Sequence, residues 1–88
     1  MNDELRQLRG EIKDIDKELL DKVKARLEVA EKIGELKKNN GEKVEDRERE
    51  EELEKFYEST AEELRLDVDF VKNLFQLVIQ ESKKIQNK

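Results

Sequence analysis

The chain has 88 residues, a net charge of −5 at pH 7 and charged residues at 49% of its length, with no cysteine, histidine or proline. That composition excludes disulfide staples, thiolate or imidazole metal sites and imidazole-based catalysis, and a negative surface without a basic stripe argues against general nucleic-acid binding. A single small domain over residues 1–88 is expected, with a thin core unless a partner completes it.

Hydrophobic residues make up only 34% of the chain, yet they fall at helical spacing through three long segments instead of being scattered as in a disordered tail. The first segment should run from near Asp3 to about Lys38. Its seam carries Leu5, Leu8, Ile12, Ile15 and Leu19, then Lys22 and Arg26, then Val29, Ile33 and Leu36. Asn39-Asn40-Gly41 supplies a left-handed stop. The second helix should start near Asp46, a good N-cap residue, and end near Arg65, with Leu53, Phe56, Tyr57, Thr60, Ala61 and Leu64 on one face. Asp67 then caps a third helix, whose apolar face is Phe70, Val71, Leu74, Phe75, Val78, Ile79 and Ile85. No strand pattern competes.

A helix of about 36 residues is roughly 54 Å long, whereas the other two are nearer 30 Å. Two short helices cannot cover the long one's stripe, so a second copy lying antiparallel is the simple way to finish the core. The expected fold is all-α, with one long and two shorter helices per chain forming an intertwined antiparallel homodimer. No apolar run reaches membrane-spanning length and the N-terminus lacks a signal peptide's apolar core, so a cytoplasmic location is expected.

Arg26 is the anomaly in the seam. Lys22 lies toward an edge and can reach water, but Val23, Leu27, Val29 and Ala30 widen the apolar face around Arg26. Burying a guanidinium without a partner costs several kcal/mol, and the ordinary answer is a structural ion pair with one of the many carboxylates. Other polar residues share its inward direction. Arg49 and Glu50 lie four and three residues before Leu53 and extend that helix's apolar face by a turn, so they should look into the protein or into a pocket at its edge, although a charge run is usually a solvated face. Ser82 and Gln86 continue the Phe75–Ile79 stripe into a region where fraying-end residues are common. Lys37 lies three turns beyond Arg26, about 16 Å along the axis, so long side chains could converge on one ligand. Arg9 is roughly 25 Å from Arg26 along the same helix and could join only from the antiparallel partner.

Several cations with Glu50, Asp46, Ser82 and Gln86 nearby describe a pocket for a small polyanion that also bears hydroxyl or ether oxygens. Arginine's planar fork favours carboxylates, so a dicarboxylate is expected; phosphate is less favoured because no glycine-rich loop occurs. No metal or cofactor is called for.

These residues carry a family likeness over essentially the whole length. The pattern Leu-Arg-x-x-Ile-x-x-Ile-Asp at Leu8 to Asp16, Arg26, Lys37, Asp46-x-x-Arg49-Glu50, and Phe75-Gln76 through Ser82 to Gln86 resembles the all-helical class of chorismate mutase, the shikimate-pathway enzymes that convert chorismate to prephenate. The resemblance implies an intertwined dimer whose active sites each take Arg9 from the other chain. It implies that Arg9 and Arg26 hold substrate carboxylates with Arg49 and Ser82 assisting, that Lys37 and Gln86 donate to the ether oxygen, and that Glu50 and the helix start at Asp46 receive the ring hydroxyl. A rival of the same architecture is isochorismate pyruvate lyase, and a rival of another class is a non-catalytic helical dimer scaffold. The chain ends soon after Gln86, so a fused dehydratase, dehydrogenase or regulatory domain is not expected.

Overall fold

The computed structural model describes residues 2–43 and 46–87. It contains α1 (Asp3–Asn39), α2 (Arg47–Leu64) and α3 (Val68–Gln86), with no strand among the described residues. None of the helices is long and apolar enough to cross a membrane. The ends of the helices follow local chemistry. Asp46 and Asp67, both extended, accept from the backbone N–H groups of Arg49 at 3.1 Å and Phe70 at 2.8 Å, satisfying donors that the first turn leaves open. Asp3 and Glu4 open α1 and Lys37 and Lys38 close it, each sign matching the helix dipole.

Gly41 takes φ 70° just beyond α1, as the Asn-Asn-Gly run requires. At the end of α2 the left-handed position falls to Arg65, at φ 59°. There Leu66 N–H reaches back to Ala61 O at 2.8 Å, closing the helix in the manner that glycine usually serves.

The third helix is the centre of the molecule. α2 folds back on α3 as an antiparallel pair, tied by Lys72 of α3 to Glu58 and Glu54 of α2 and by Lys83 to Glu50. α1 lies against α3 through its C-terminal half, and the two run parallel: Arg26 meets Ser82, and Ala30 meets Gln86 four residues further on in both. Between α1 and α2 no backbones come close, so a groove floored by α3 separates them.

The buried residues are small or few: Ala30, Gly34, Tyr57, Ala61, Val71 and Ser82. Tyr57, Ala61 and Val71 form the core cluster, with Leu53, Val68, Phe75 and Ile79 packed around it. The Tyr57 and Phe75 rings stack with centroids 4.2 Å apart and planes at 13°. Gly34 permits a close approach of α1 and α3, because a β-carbon there would stand 2.9 Å from Gln86 Cα.

One chain does not finish this core. Its radius of gyration is 16.8 Å, against about 12 Å for a compact domain of this length, and its long dimension is 61 Å. The first part of α1 projects beyond the other two helices, and its seam residues Leu8, Ile12, Ile15 and Leu19 all stand more than half exposed. In the single chain the two short helices thus leave much of the long one's stripe uncovered. Phe56, Leu64 and Phe70, expected on apolar faces, are also exposed here, Phe56 at the edge of the groove between α1 and α2.

Candidate active site

The groove between α1 and α2 encloses a cavity of about 380 Å³. Helix register explains its lining. From α1 come Arg26, Val29, Ala30, Ile33 and Lys37, spaced at three or four residues; from the start of α2 come Asp46, Arg49, Glu50, Leu53 and Tyr57; and from α3 come Phe75, Ile79, Ser82 and Gln86. Seven of the eight residues singled out in the sequence thus border one space. The eighth, Arg9, lies far off along α1 beside Leu5, Arg6 and Lys13.

Arg26 is half-buried and has no carboxylate partner among the described residues, contrary to the ordinary ion-pair expectation. Its guanidinium donates to Ser82 Oγ at 2.9 Å and to Tyr57 Oη at 3.4 Å. Two neutral hydroxyls hold it in place without cancelling its charge. Ser82 is 6% exposed and donates its own proton to Val78 O at 2.9 Å, so it is a built part of the interior and not a fraying end. Its one donor is thus taken, and its oxygen is an acceptor for Arg26.

Gln86 is likewise fixed. Its Nε2 donates to Ala30 O at 3.1 Å, which turns the amide nitrogen toward α1 and leaves the second N–H of that nitrogen for another acceptor. The contact depends on Gly34, whose missing side chain lets the Gln86 backbone settle against α1.

The α2 residues stand at the rim. Arg49, expected to look into the protein or into a pocket at its edge, borders the cavity, is exposed and pairs with Glu52 one turn along its own helix, at 3.0 Å. Asp46 is exposed too, and one of its carboxylate oxygens is engaged as the N-cap of α2. Glu50 is half-buried and held by Lys83 Nζ at 2.7 Å.

Two lining residues escaped the sequence reading. Tyr57 was assigned to the apolar face of α2, yet it falls on the register of Asp46, Glu50 and Leu53 and brings a hydroxyl to Arg26. Lys83, in the last turn of α3, was not singled out at all, and it lies four residues after Ile79 and lines the cavity. In both cases the spacing was the available signal.

Chemically, the arrangement supplies fixed positive charge, one oriented amide donor and a carboxylate, around apolar walls from Val29, Ile33, Leu53 and Phe75. It contains no thiol or imidazole. Such a site can bind an anion, hold a flexible molecule in one shape and stabilise negative charge as it develops.

No curated protein matches the chain. The family model for chorismate mutase type II matches residues 8–87, a stretch that takes in Arg9, the whole groove, α2, α3 and α1 from Leu8 onward, and the chain belongs to that family of isomerases.

Proposed function

We propose that this chain converts chorismate to prephenate by an intramolecular [3,3] rearrangement, in a homodimer whose two sites each draw an arginine from the other chain. The observation that carries the reading is Arg26, a half-buried cation tethered by Ser82 and Tyr57 with no carboxylate to meet it among the described residues, in a groove shared with Lys37 and Gln86. In this reading the missing partner is a carboxylate of the substrate.

The reaction breaks one carbon–oxygen bond as one carbon–carbon bond forms, without nucleophile, metal or proton transfer. A protein lacking His and Cys is suited to it. What it supplies is a compact, chair-like substrate conformation and positive charge beside the ether oxygen as that oxygen gains electron density. Arg26 and the partner's Arg9 hold the carboxylates, with Arg49 assisting from the rim and Ser82 through Arg26. Lys37 and Gln86 donate to the ether oxygen, Gln86 by the N–H that Ala30 leaves unused. Glu50 and the start of α2 at Asp46 receive the ring hydroxyl. The long exposed seam of α1 supports the dimer, since an antiparallel copy would cover Leu8 to Leu19 and carry Arg9 to the other chain's groove.

Offering chorismate and isochorismate separately tests the assignment. Prephenate from chorismate is expected. Salicylate and pyruvate from isochorismate, with chorismate untouched, would assign the site to a lyase, and no turnover of either would make the chain a binding scaffold.

A further inference from the structure

Tyr57 and Ser82 both accept a hydrogen bond from Arg26, but their own protons have different fates. The Ser82 hydroxyl proton goes to Val78 O. Tyr57 Oη accepts from Arg26 Nη2, and among the described residues its proton has no acceptor, although the side chain is only 6% exposed and lines the cavity. Nor can the ring turn away. It is stacked on Phe75 with centroids 4.2 Å apart and is packed in the core with Ala61 and Val71.

A phenol has one donor and its acceptor lone pairs on the same oxygen. With a lone pair engaged by a cation, the oxygen is polarised and its O–H becomes a better donor. That donor sits beside the guanidinium that would hold a carboxylate. We infer that Tyr57 is a substrate-binding residue: its hydroxyl donates to the carboxylate that Arg26 holds, so that one anionic group is gripped by a cation and a neutral donor together. The inference rests on the mutase reading and adds a contact to it. It also gives Tyr57 a second role, since the same oxygen steadies Arg26 before the ligand arrives.

The chain is well suited to a direct test, because Tyr57 is its only tyrosine and it has no tryptophan. Tyrosine emission therefore reports this one hydroxyl, and a phenol donating to a carboxylate is quenched. Titration of the intact protein with a non-absorbing bicyclic dicarboxylate that mimics the chair-like transition state should quench the emission saturably, with a midpoint equal to its inhibition constant for chorismate turnover. Tyr57→Phe, which keeps the ring and its stacking, should raise that inhibition constant about tenfold, the size of one hydrogen bond to a charged group. It should also raise KM for chorismate more than it lowers kcat, while far-ultraviolet circular dichroism stays unchanged.

Inhibition without a change in emission, or a Tyr57→Phe protein that binds the analogue within twofold of wild type, would overturn the inference and leave the mutase assignment standing. Failure of the mutase assignment looks different: wild-type protein would form no prephenate and its turnover would offer nothing to inhibit, and the inference would fall with it.

Discussion

Gly34 and Gln86 touch backbone to backbone: a β-carbon on Gly34 would lie 2.9 Å from Gln86 Cα and 3.0 Å from its Cγ. A glycine inside a helix normally weakens it by about 1 kcal/mol relative to alanine, so its presence in α1 has to be offset by what the close approach allows. That is the seating of the last turn of α3 and the bond from Gln86 to Ala30 O. Gly34→Ala should therefore gain helix propensity and lose alignment of the Gln86 amide. The expected outcome is a Tm within a few degrees of wild type and a fall of about tenfold in kcat, the scale of a small misplacement of a reacting group. An unchanged kcat would show that Gln86 does not need this seat.

Arg26→Ala and Lys37→Ala should each nearly abolish turnover, by about a hundred- to a thousandfold in kcat/KM, if these groups face charge that develops in the transition state. Circular dichroism and sedimentation should show the helices and the assembly retained. A rate near wild type in either variant would remove that residue from the chemistry.

The composite site can be tested by mixing. Arg9→Ala and Arg26→Ala should each be inactive alone, whereas subunit exchange between them creates mixed dimers with one intact site, restoring about a quarter of wild-type activity at random pairing. A mixture no more active than its components, or a fully active Arg9→Ala protein, would count against a site shared between chains.

Gln86 also bears on pH. A glutamine amide donates at any pH, whereas a glutamate in the same place would have to be protonated first. Turnover should change little from about pH 5 to 8 through this residue, since no titration of Gln86 exists to interrupt it. A steep acid limb that Gln86→Leu abolishes would contradict that expectation.

Away from the groove, Lys72 bridges α3 to α2. The hydrogen bond from its ammonium to Glu58 and the charges of Glu58 and Glu54 raise its pKa above the ordinary 10.5, against an opposing desolvation. A group whose folded pKa is raised contributes stability that is complete below its unfolded value and is lost as pH climbs through the folded one. Lys72→Met should therefore lower Tm slightly at neutral pH, and the difference from wild type should shrink once the solution is more alkaline than the raised pKa. Thermal unfolding of both proteins across that range checks the sign.

The helices were legible because their apolar spacing and their caps agree. Asp46 and Asp67 read as N-caps and bond as N-caps, and Gly41 reads as a stop and takes the left-handed angle. Arg65 shows the limit of such reading. Arginine carries no mark of a left-handed backbone, and its position is imposed by the α2–α3 packing on either side. Within the groove, the register of Arg26, Lys37, Glu50, Ser82 and Gln86 was visible as polar residues continuing apolar stripes. Tyr57 was hidden because its ring satisfies the apolar pattern while its hydroxyl does something else, and Lys83 because charge in a last turn usually belongs to solvent. For Arg49 the register left two positions open, the interior or the edge of a pocket, and its bond to Glu52 accompanies the second.

The short supply of buried side chains carries a consequence for folding itself. A core of Tyr57, Ala61 and Val71, with Ala30, Gly34 and Ser82 and no large side chain fully enclosed among the described residues, gives one chain little reason to hold its shape alone. If an antiparallel copy supplies the rest, folding and pairing become a single equilibrium, second order in protein. Heat resistance would then be a property of the solution as much as of the molecule, with a Tm that climbs as the protein is concentrated.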